Sequence, residues 1–157
     1  MKKFICLIFT IVGITTAAVA PPASTAASSE GSVTGIGTGS FPGGASFAGL
    51  NLSRFEIAAG IFTEAEGSAA GVFHAVLTGP SVLGAAQDIT LDGNVTQGSA
   101  TAGSSSFSGL ATLNLSNGVA VSGVPFNVEA SGGSMVLTIE STVLPAGTFG
   151  EGGLHIE

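Results

Sequence analysis

The sequence has little cysteine and few basic residues, and each shortage excludes some structures or binding partners. Its single cysteine, Cys6, lies close to the N-terminus, so a disulfide framework is excluded. Only three residues are Lys or Arg, against ten Asp and Glu. Proteins bind nucleic acids and anionic membrane surfaces through clustered Lys and Arg. We therefore expect neither as a partner of this chain.

The N-terminal residues show the three parts of a secretory signal peptide. Lys2 and Lys3 precede an apolar run from Phe4 to Ile14, and small residues follow it. The run is about half the length of the roughly twenty residues that a membrane span needs. We predict a signal peptide over residues 1–20, with cleavage between residues 18 and 26 and no stable membrane span afterwards. The predicted location is therefore secreted, whether extracellular, at the cell surface or in the periplasm.

The remaining chain divides into a leader and one domain. Residues 21–31 are small and polar, which predicts a flexible leader, and residues 32–157 are enough for one domain with its own core. Once the signal is removed, Arg54 is the only basic residue against ten carboxylates. Because only 8% of the residues are charged and 45% are apolar, charge excess does not keep the chain unfolded.

The hydrophobic pattern indicates strands. Short runs of Val, Ile, Phe, Thr and Leu alternate with Gly, Ser, Asn and Pro clusters, and no stretch keeps a helical period over three turns. Strands joined by short turns favour antiparallel pairing. We predict an all-β fold of about eight strands, either an antiparallel β-sandwich or a small β-barrel.

Alternation within two segments assigns side chains to faces. Residues 45–57 are predicted as one strand. Residues 68–78 are predicted as another, with Phe73, Ala75 and Leu77 on one face and His74 on the other.

Turn residues mark several boundaries. Asn117-Gly118 predicts an antiparallel hairpin with a type I′ turn, because both residues tolerate positive φ. Asp92-Gly93 is compatible with a tight turn inside the strand marked by Ile89 and Val95, and Pro125 predicts a bulge or an edge. Gly35-x-Gly37-x-Gly39 is spaced for bulges and close backbone approach. No helix with a lysine follows these glycines, so a nucleotide-binding loop is not indicated.

Few residues are candidates for chemistry. His74 and His155 are the only histidines, and His74 is predicted to be a structural, half-buried strand residue. Glu64 and Glu66 lie in a loop. No zinc-ligand spacing and no calcium-loop motif is present, so we expect neither a metal nor a cofactor. As candidate ligand-binding residues we take Phe73, His74, Glu64 and Glu66.

Three segments resemble a loose group of small exported bacterial proteins that are all-β and rich in Gly and Thr. They are Gly37-Thr38-Gly39-Ser40-Phe41, the hairpin from Ala111 to Val121, and the ending from Gly147 to Ile156. The resemblance implies export and a β-sandwich or β-barrel, and it brings no catalytic residues.

Three functions follow as expectations. The first is a non-enzymatic secreted domain with a structural, surface or binding role, acting through strand edges and loops on itself or on an extracellular surface component. The second is a small barrel enclosing an apolar molecule, lined by Phe47, Phe73, Phe107, Leu113 and Phe126. The third is a hydrolase or lyase that uses His74 with Glu64 or Glu66.

Overall fold

The computed structural model describes residues 30–157, and these are almost entirely β-strand. The predicted signal peptide and all but the last two residues of the predicted leader lie outside the described residues. The strands are β1 (Gly31–Ser40), β2 (Ser46–Phe47), β3 (Leu50–Asn51), β4 (Arg54–Thr63), β5 (Ser68–Pro80), β6 (Ala86–Thr101), β7 (Ser104–Asn114), β8 (Ala120–Ser131), β9 (Ser134–Ile139), β10 (Thr142–Val143), β11 (Gly147–Gly152) and β12 (His155–Ile156). One helical turn, Ala65–Gly67, joins β4 to β5. The predicted all-β class is confirmed.

Eight strands form a closed antiparallel ring. Strands β4 to β9 pair consecutively as a meander, and β1 pairs with β4. Strand β11 closes the ring because it pairs with both β1 and β9, the latter through Gly147 with Met135 and Thr148 with Ser134. Each ring strand therefore has a hydrogen-bonded neighbour on both sides, which is a barrel-like arrangement. Some stretches of the ring strands pair on one side only, as Ala120–Val124 of β8 does with β7.

The interior is packed with apolar side chains. On β5, Phe73, Ala75 and Leu77 are buried, which confirms the predicted face. The Phe73 ring stacks on Phe126, with centroids 5.7 Å apart, and meets Phe107 edge-on at 5.4 Å. A second group of rings, Phe41, Phe55 and Phe149, has centroid distances of 5.2 and 5.3 Å.

Glycines make room for these rings. A Cβ on Gly93 would lie 2.6 Å from Cε1 of Phe126, and a Cβ on Gly39 would overlap the ring of Phe55. On β1, a Cβ on Gly37 would lie 2.7 Å from the Gly153 nitrogen, and the register shifts between Thr38 and Gly39. The close backbone approach and the bulge predicted for the β1 glycines are confirmed at Gly37 and Gly39.

One strand prediction is wrong in detail, and one open alternative is decided. Residues 45–57 do not form one strand, because Ala48 and Gly49 adopt positive φ and turn the chain into a β2–β3 hairpin before β4 begins. The strand predicted around Ile89 and Val95 is confirmed, and the alternative of a turn at Asp92-Gly93 is not adopted, because β6 runs through these two residues and pairs with β5 and β7 there.

The hairpin at Asn117-Gly118 joins β7 to β8 as predicted, but its turn is not type I′. Only Gly118 has positive φ, at 82°, and its N–H donates to the Leu115 carbonyl at 2.9 Å. The side chain of Asn117 instead accepts a hydrogen bond from the N–H of Val119. Near Pro125, the predicted bulge lies at Gly123, where the β7–β8 register shifts.

Candidate binding surface

The sequence-predicted site residues do not share one surface. Phe73 is buried in the ring interior, whereas its neighbour His74 points outward and is about half-exposed. Successive residues of a strand face opposite sides, so the two side chains cannot line a common pocket.

Glu64 and Glu66 lie at one end of the ring, in the β4–β5 connection. A carboxylate oxygen of Glu64 accepts a hydrogen bond from Ser68 Oγ at 3.0 Å. Both glutamates border an open depression of about 840 Å³ that Glu30 and Glu157 also line. Within residues 30–157, no three His, Cys, Asp or Glu side chains come together in a way that could hold a metal ion.

His74 pairs with a carboxylate other than Glu64 and Glu66, the two partners that the sequence suggested for it. Register places Asp92 of β6 directly opposite His74 of β5, and His74 Nδ1 lies 2.7 Å from Asp92 Oδ1. Because an ionised carboxylate only accepts hydrogen bonds, Nδ1 is the donor, which leaves Nε2 directed away from the pair.

A third strand adds a further contact to Asp92. Asn114 of β7 donates from Nδ2 to Asp92 Oδ2 at 3.4 Å and to Thr90 Oγ1 at 3.2 Å. We call His74, Thr90, Asp92 and Asn114 the Asp92 cluster. Its side chains come from three adjacent strands and bond to one another across them. Asp92 is the centre, since it binds a partner on either side.

The Asp92 cluster belongs to a longer polar row. Asp92 stands opposite Thr112 of β7, which stands opposite Ser122 of β8, and the two hydroxyl oxygens lie 3.3 Å apart. In the adjoining row, Val72 stands opposite Asn94. Asn94 stands opposite Leu110, and Leu110 stands opposite Pro125. The outer face of β5 to β8 therefore presents hydrogen-bonding groups beside exposed apolar side chains.

The register of one hairpin could have revealed the pairing. His74 and Asp92 are 18 residues apart, and they face each other because the β5–β6 turn is centred near residue 83. Treating Asp92-Gly93 as a possible turn hid this relation. The available signal was the Gly-Pro-Ser turn after residue 78. An uninterrupted antiparallel ladder that continues back from this turn sets His74 opposite Asp92.

The chain was compared with protein-family models, with curated proteins and with solved structures, and none of the three comparisons gives a match. Within residues 30–157, no helix has the length and hydropathy needed to traverse a lipid bilayer. Inferences about function therefore depend on the geometry of the chain's own residues.

Proposed function

We propose that this chain is an exported, non-enzymatic binding domain that recognises an extracellular surface component through the outer face of β5 to β8. The observation that carries the proposal is the Asp92 cluster, in which cross-strand hydrogen bonds hold a carboxylate, an imidazole, an amide and a hydroxyl in one place. Groups fixed in this way on a rigid sheet lose little conformational freedom when they bind a ligand.

The packed interior supports an external binding surface. Three of the proposed cavity-lining residues, Phe73, Phe107 and Phe126, are buried and pack against one another. An apolar ligand enclosed by the strands would have to displace these aromatic side chains. Even a Cβ added at the neighbouring Gly93 would clash with the Phe126 ring. The interior thus favours a structural role for the core over ligand storage.

The chemistry of the face indicates the class of ligand. The Asp92 carboxylate and the neighbouring hydroxyls accept hydrogen bonds, and the side chains of Val72 and Leu110 offer apolar contact nearby. A neutral or cationic component rich in hydroxyl or amine groups matches this surface. An anionic one is repelled by the ten carboxylates of the chain.

A binding assay with a matched variant tests the proposal. The processed protein, recovered after export, is incubated with isolated cell envelopes, and the retained fraction is measured by sedimentation. We expect Asp92→Ala to weaken retention about tenfold or more, since it removes the centre of the cluster. Asp88→Ala is the control, because Asp88 is an exposed carboxylate of the same strand that bonds only to Thr78 among the described residues. Equal retention of both variants, or no retention of the unmodified protein, contradicts the proposal.

A hydrolase that uses His74 is a second candidate function, favoured by one observation. The His74–Asp92 pair has the geometry of a base held by a carboxylate. Among residues 30–157, no side-chain hydroxyl bonds to the other nitrogen of His74, so no nucleophile accompanies the pair. Hydrolysis of a simple ester by the processed protein, lost in His74→Ala and kept in His155→Ala, would support this alternative. Equal rates in the two variants would refute it.

A further inference from the structure

Four connections between ring strands lie at one end of the ring, and they expose several large apolar side chains. These connections are residues 41–53, 81–85, 115–119 and 140–146. Three of them carry aliphatic side chains that face solvent, namely Val82 at 89%, Leu83 at 96%, Val143 at 65% and Val119 at 49% exposure. We call these four residues the Leu83 end. A side chain as exposed as Leu83 adds almost nothing to the core, so folding does not account for its apolar character.

Contacts between the connections place the β5–β6 turn among its neighbours. Val82 lines a depression of about 390 Å³ together with Phe47 of the β2–β3 hairpin and Thr142 of β10. On the other side, Ser116 Oγ donates to Gln87 Oε1 at 2.9 Å, which joins the β7–β8 turn to the start of β6. The apolar side chains of these connections therefore belong to one surface.

The β5–β6 turn carries Val82 and Leu83 at its tip. The N–H of Gly84 donates to the Ser81 carbonyl at 2.8 Å, and the N–H of Ser81 donates to the Ala85 carbonyl at 2.8 Å. These bonds satisfy, within the turn, backbone groups that would be costly to leave unpaired in hydrocarbon. The tip is thus suited to enter an apolar medium with its side chains first.

Charge is distributed unevenly between the two ends of the ring. The four connections at the Leu83 end contain one charged residue, Glu140. Near the margin, Arg54 at the start of β4 and Asp88 close to the start of β6 have opposite charges. Four glutamates surround one depression at the opposite end of the ring: Glu30, Glu64, Glu66 and Glu157. Much of the acidic surplus of the chain therefore lies away from the Leu83 end.

We propose that the Leu83 end docks on the surface of an uncharged lipid bilayer, with Val82 and Leu83 inserted below the headgroups. Protein interfaces are anchored mainly by Trp, Tyr and Arg, with Leu and Val under-represented, and the sequence has no Trp or Tyr. Side chains that project from separate turns require a protein partner of matching shape, whereas a fluid bilayer adapts to them. An anionic bilayer is disfavoured, because it repels the acidic chain.

The number of apolar groups sets the strength of docking. Fully inserted, the four residues of the Leu83 end bury about as much hydrocarbon as one myristoyl chain, whose binding is marginal and reversible, with a constant on the order of 10⁴ M⁻¹. This is an upper bound, because Val119 is only half-exposed. We therefore expect reversible docking that is measurable at millimolar lipid and changes little with salt, since it needs no attraction between charges.

Flotation with vesicles of pure phosphatidylcholine tests the docking. The processed protein should float with the vesicles, and Leu83→Asp should lower its partition constant about tenfold or more, because an inserted apolar side chain is replaced by a charged one. Leu110→Asp is the matched control, since Leu110 is a 56% exposed residue of β7 outside the four connections. This variant should float like the unmodified protein. Circular dichroism melting confirms that each variant remains folded.

A fluorescent label reports which end of the ring meets the lipid. Cys6 is the only cysteine and lies within the predicted signal peptide, so the processed protein offers no competing thiol. An environment-sensitive label attached to Leu83→Cys should shift to shorter wavelength when vesicles are added. The same label on Ala65→Cys, in the exposed β4–β5 connection at the opposite end, should not shift.

Three results would overturn the proposal. Absence of binding to the vesicles would leave the Leu83 end to a protein partner. Stronger binding to vesicles that contain phosphatidylglycerol would contradict docking on an uncharged surface. Equal shifts of the two labels would show unspecific adsorption. Asp92→Ala should keep its full binding to phosphatidylcholine vesicles, so lipid docking and recognition through the Asp92 cluster are tested independently.

Discussion

Gly93 gives a sensitive test of the packed interior. It lies on β6 facing inward, and a Cβ there would be 2.6 and 2.7 Å from two atoms of the Phe126 ring. The ring cannot easily retreat, because Phe126 stacks on Phe73 at 5.7 Å. Replacing Gly93 by Ala therefore forces a ring or a strand to move.

The expected loss for Gly93→Ala follows from two opposing terms. Overpacking of a core costs about 1–3 kcal/mol, while replacing Gly by Ala restricts the unfolded chain and returns about 0.4–1 kcal/mol. We expect a net loss of about 1–2 kcal/mol, or a fall in melting temperature of roughly 4–8 °C for a domain of this size.

Gly60→Ala is the matched control for this substitution. Gly60 also lies within a strand, but a Cβ there meets nothing. Its replacement should leave stability unchanged or raise it by up to about 1 kcal/mol. Thermal unfolding measures both variants.

A double variant tests the physical cause. If the clash is with the Phe126 ring, Gly93→Ala combined with Phe126→Leu should lose about 1 kcal/mol less than the sum of the single losses. Equal stability of Gly93→Ala and Gly60→Ala would refute the reasoning, because it would mean that the interior beside Gly93 is not filled.

Three further substitutions test the turns and the core by chemical unfolding. Phe73→Ala should lose about 3–5 kcal/mol, since a fully buried ring is removed from between two others; a loss below about 1 kcal/mol would contradict its central position. Gly118→Val should lose about 1–2 kcal/mol because Gly118 has φ of 82°, whereas Gly118→Asn should be tolerated better. Thr63→Val should gain about 1 kcal/mol, as the buried Thr63 hydroxyl has no hydrogen-bond partner among the described residues; a loss would show that the hydroxyl is satisfied.

The fold class was predictable because a period of two is a local signal. The alternation through Phe73, Ala75 and Leu77 is readable in a few residues, and burial on one side of β5 follows directly. Ring closure was not predictable. It depends on β11 reaching both β1 and β9, and the β9–β11 contact consists of two residue pairs with no pattern of their own.

Turn signals failed where longer-range pairing decided the outcome. Asp92-Gly93 has the composition of a turn, but ladders on both sides hold it extended, and the ring of Phe126 occupies the space that Gly93 leaves. Conversely, residues 45–57 alternate like a strand, and the positive φ of Ala48 and Gly49 breaks them into a hairpin.

The candidate site was the least predictable part for the same reason. His74 was identified from its residue type, but its partner was sought among the glutamates of the adjoining loop. The structure pairs it with Asp92, and then with Asn114 through Asp92. Each of these contacts depends on the registers of β5, β6 and β7, which composition does not specify.

The strands close into a ring around a filled interior, and for this reason we place recognition on the outside. Nuclear Overhauser spectroscopy of the processed protein in solution tests it most directly. A closed ring with a filled interior should give backbone contacts between Thr148 and Ser134 at the β9–β11 junction, together with ring contacts of Phe73 to Phe107 and Phe126. An open β9–β11 junction, or isolated Phe73 ring protons, would contradict it.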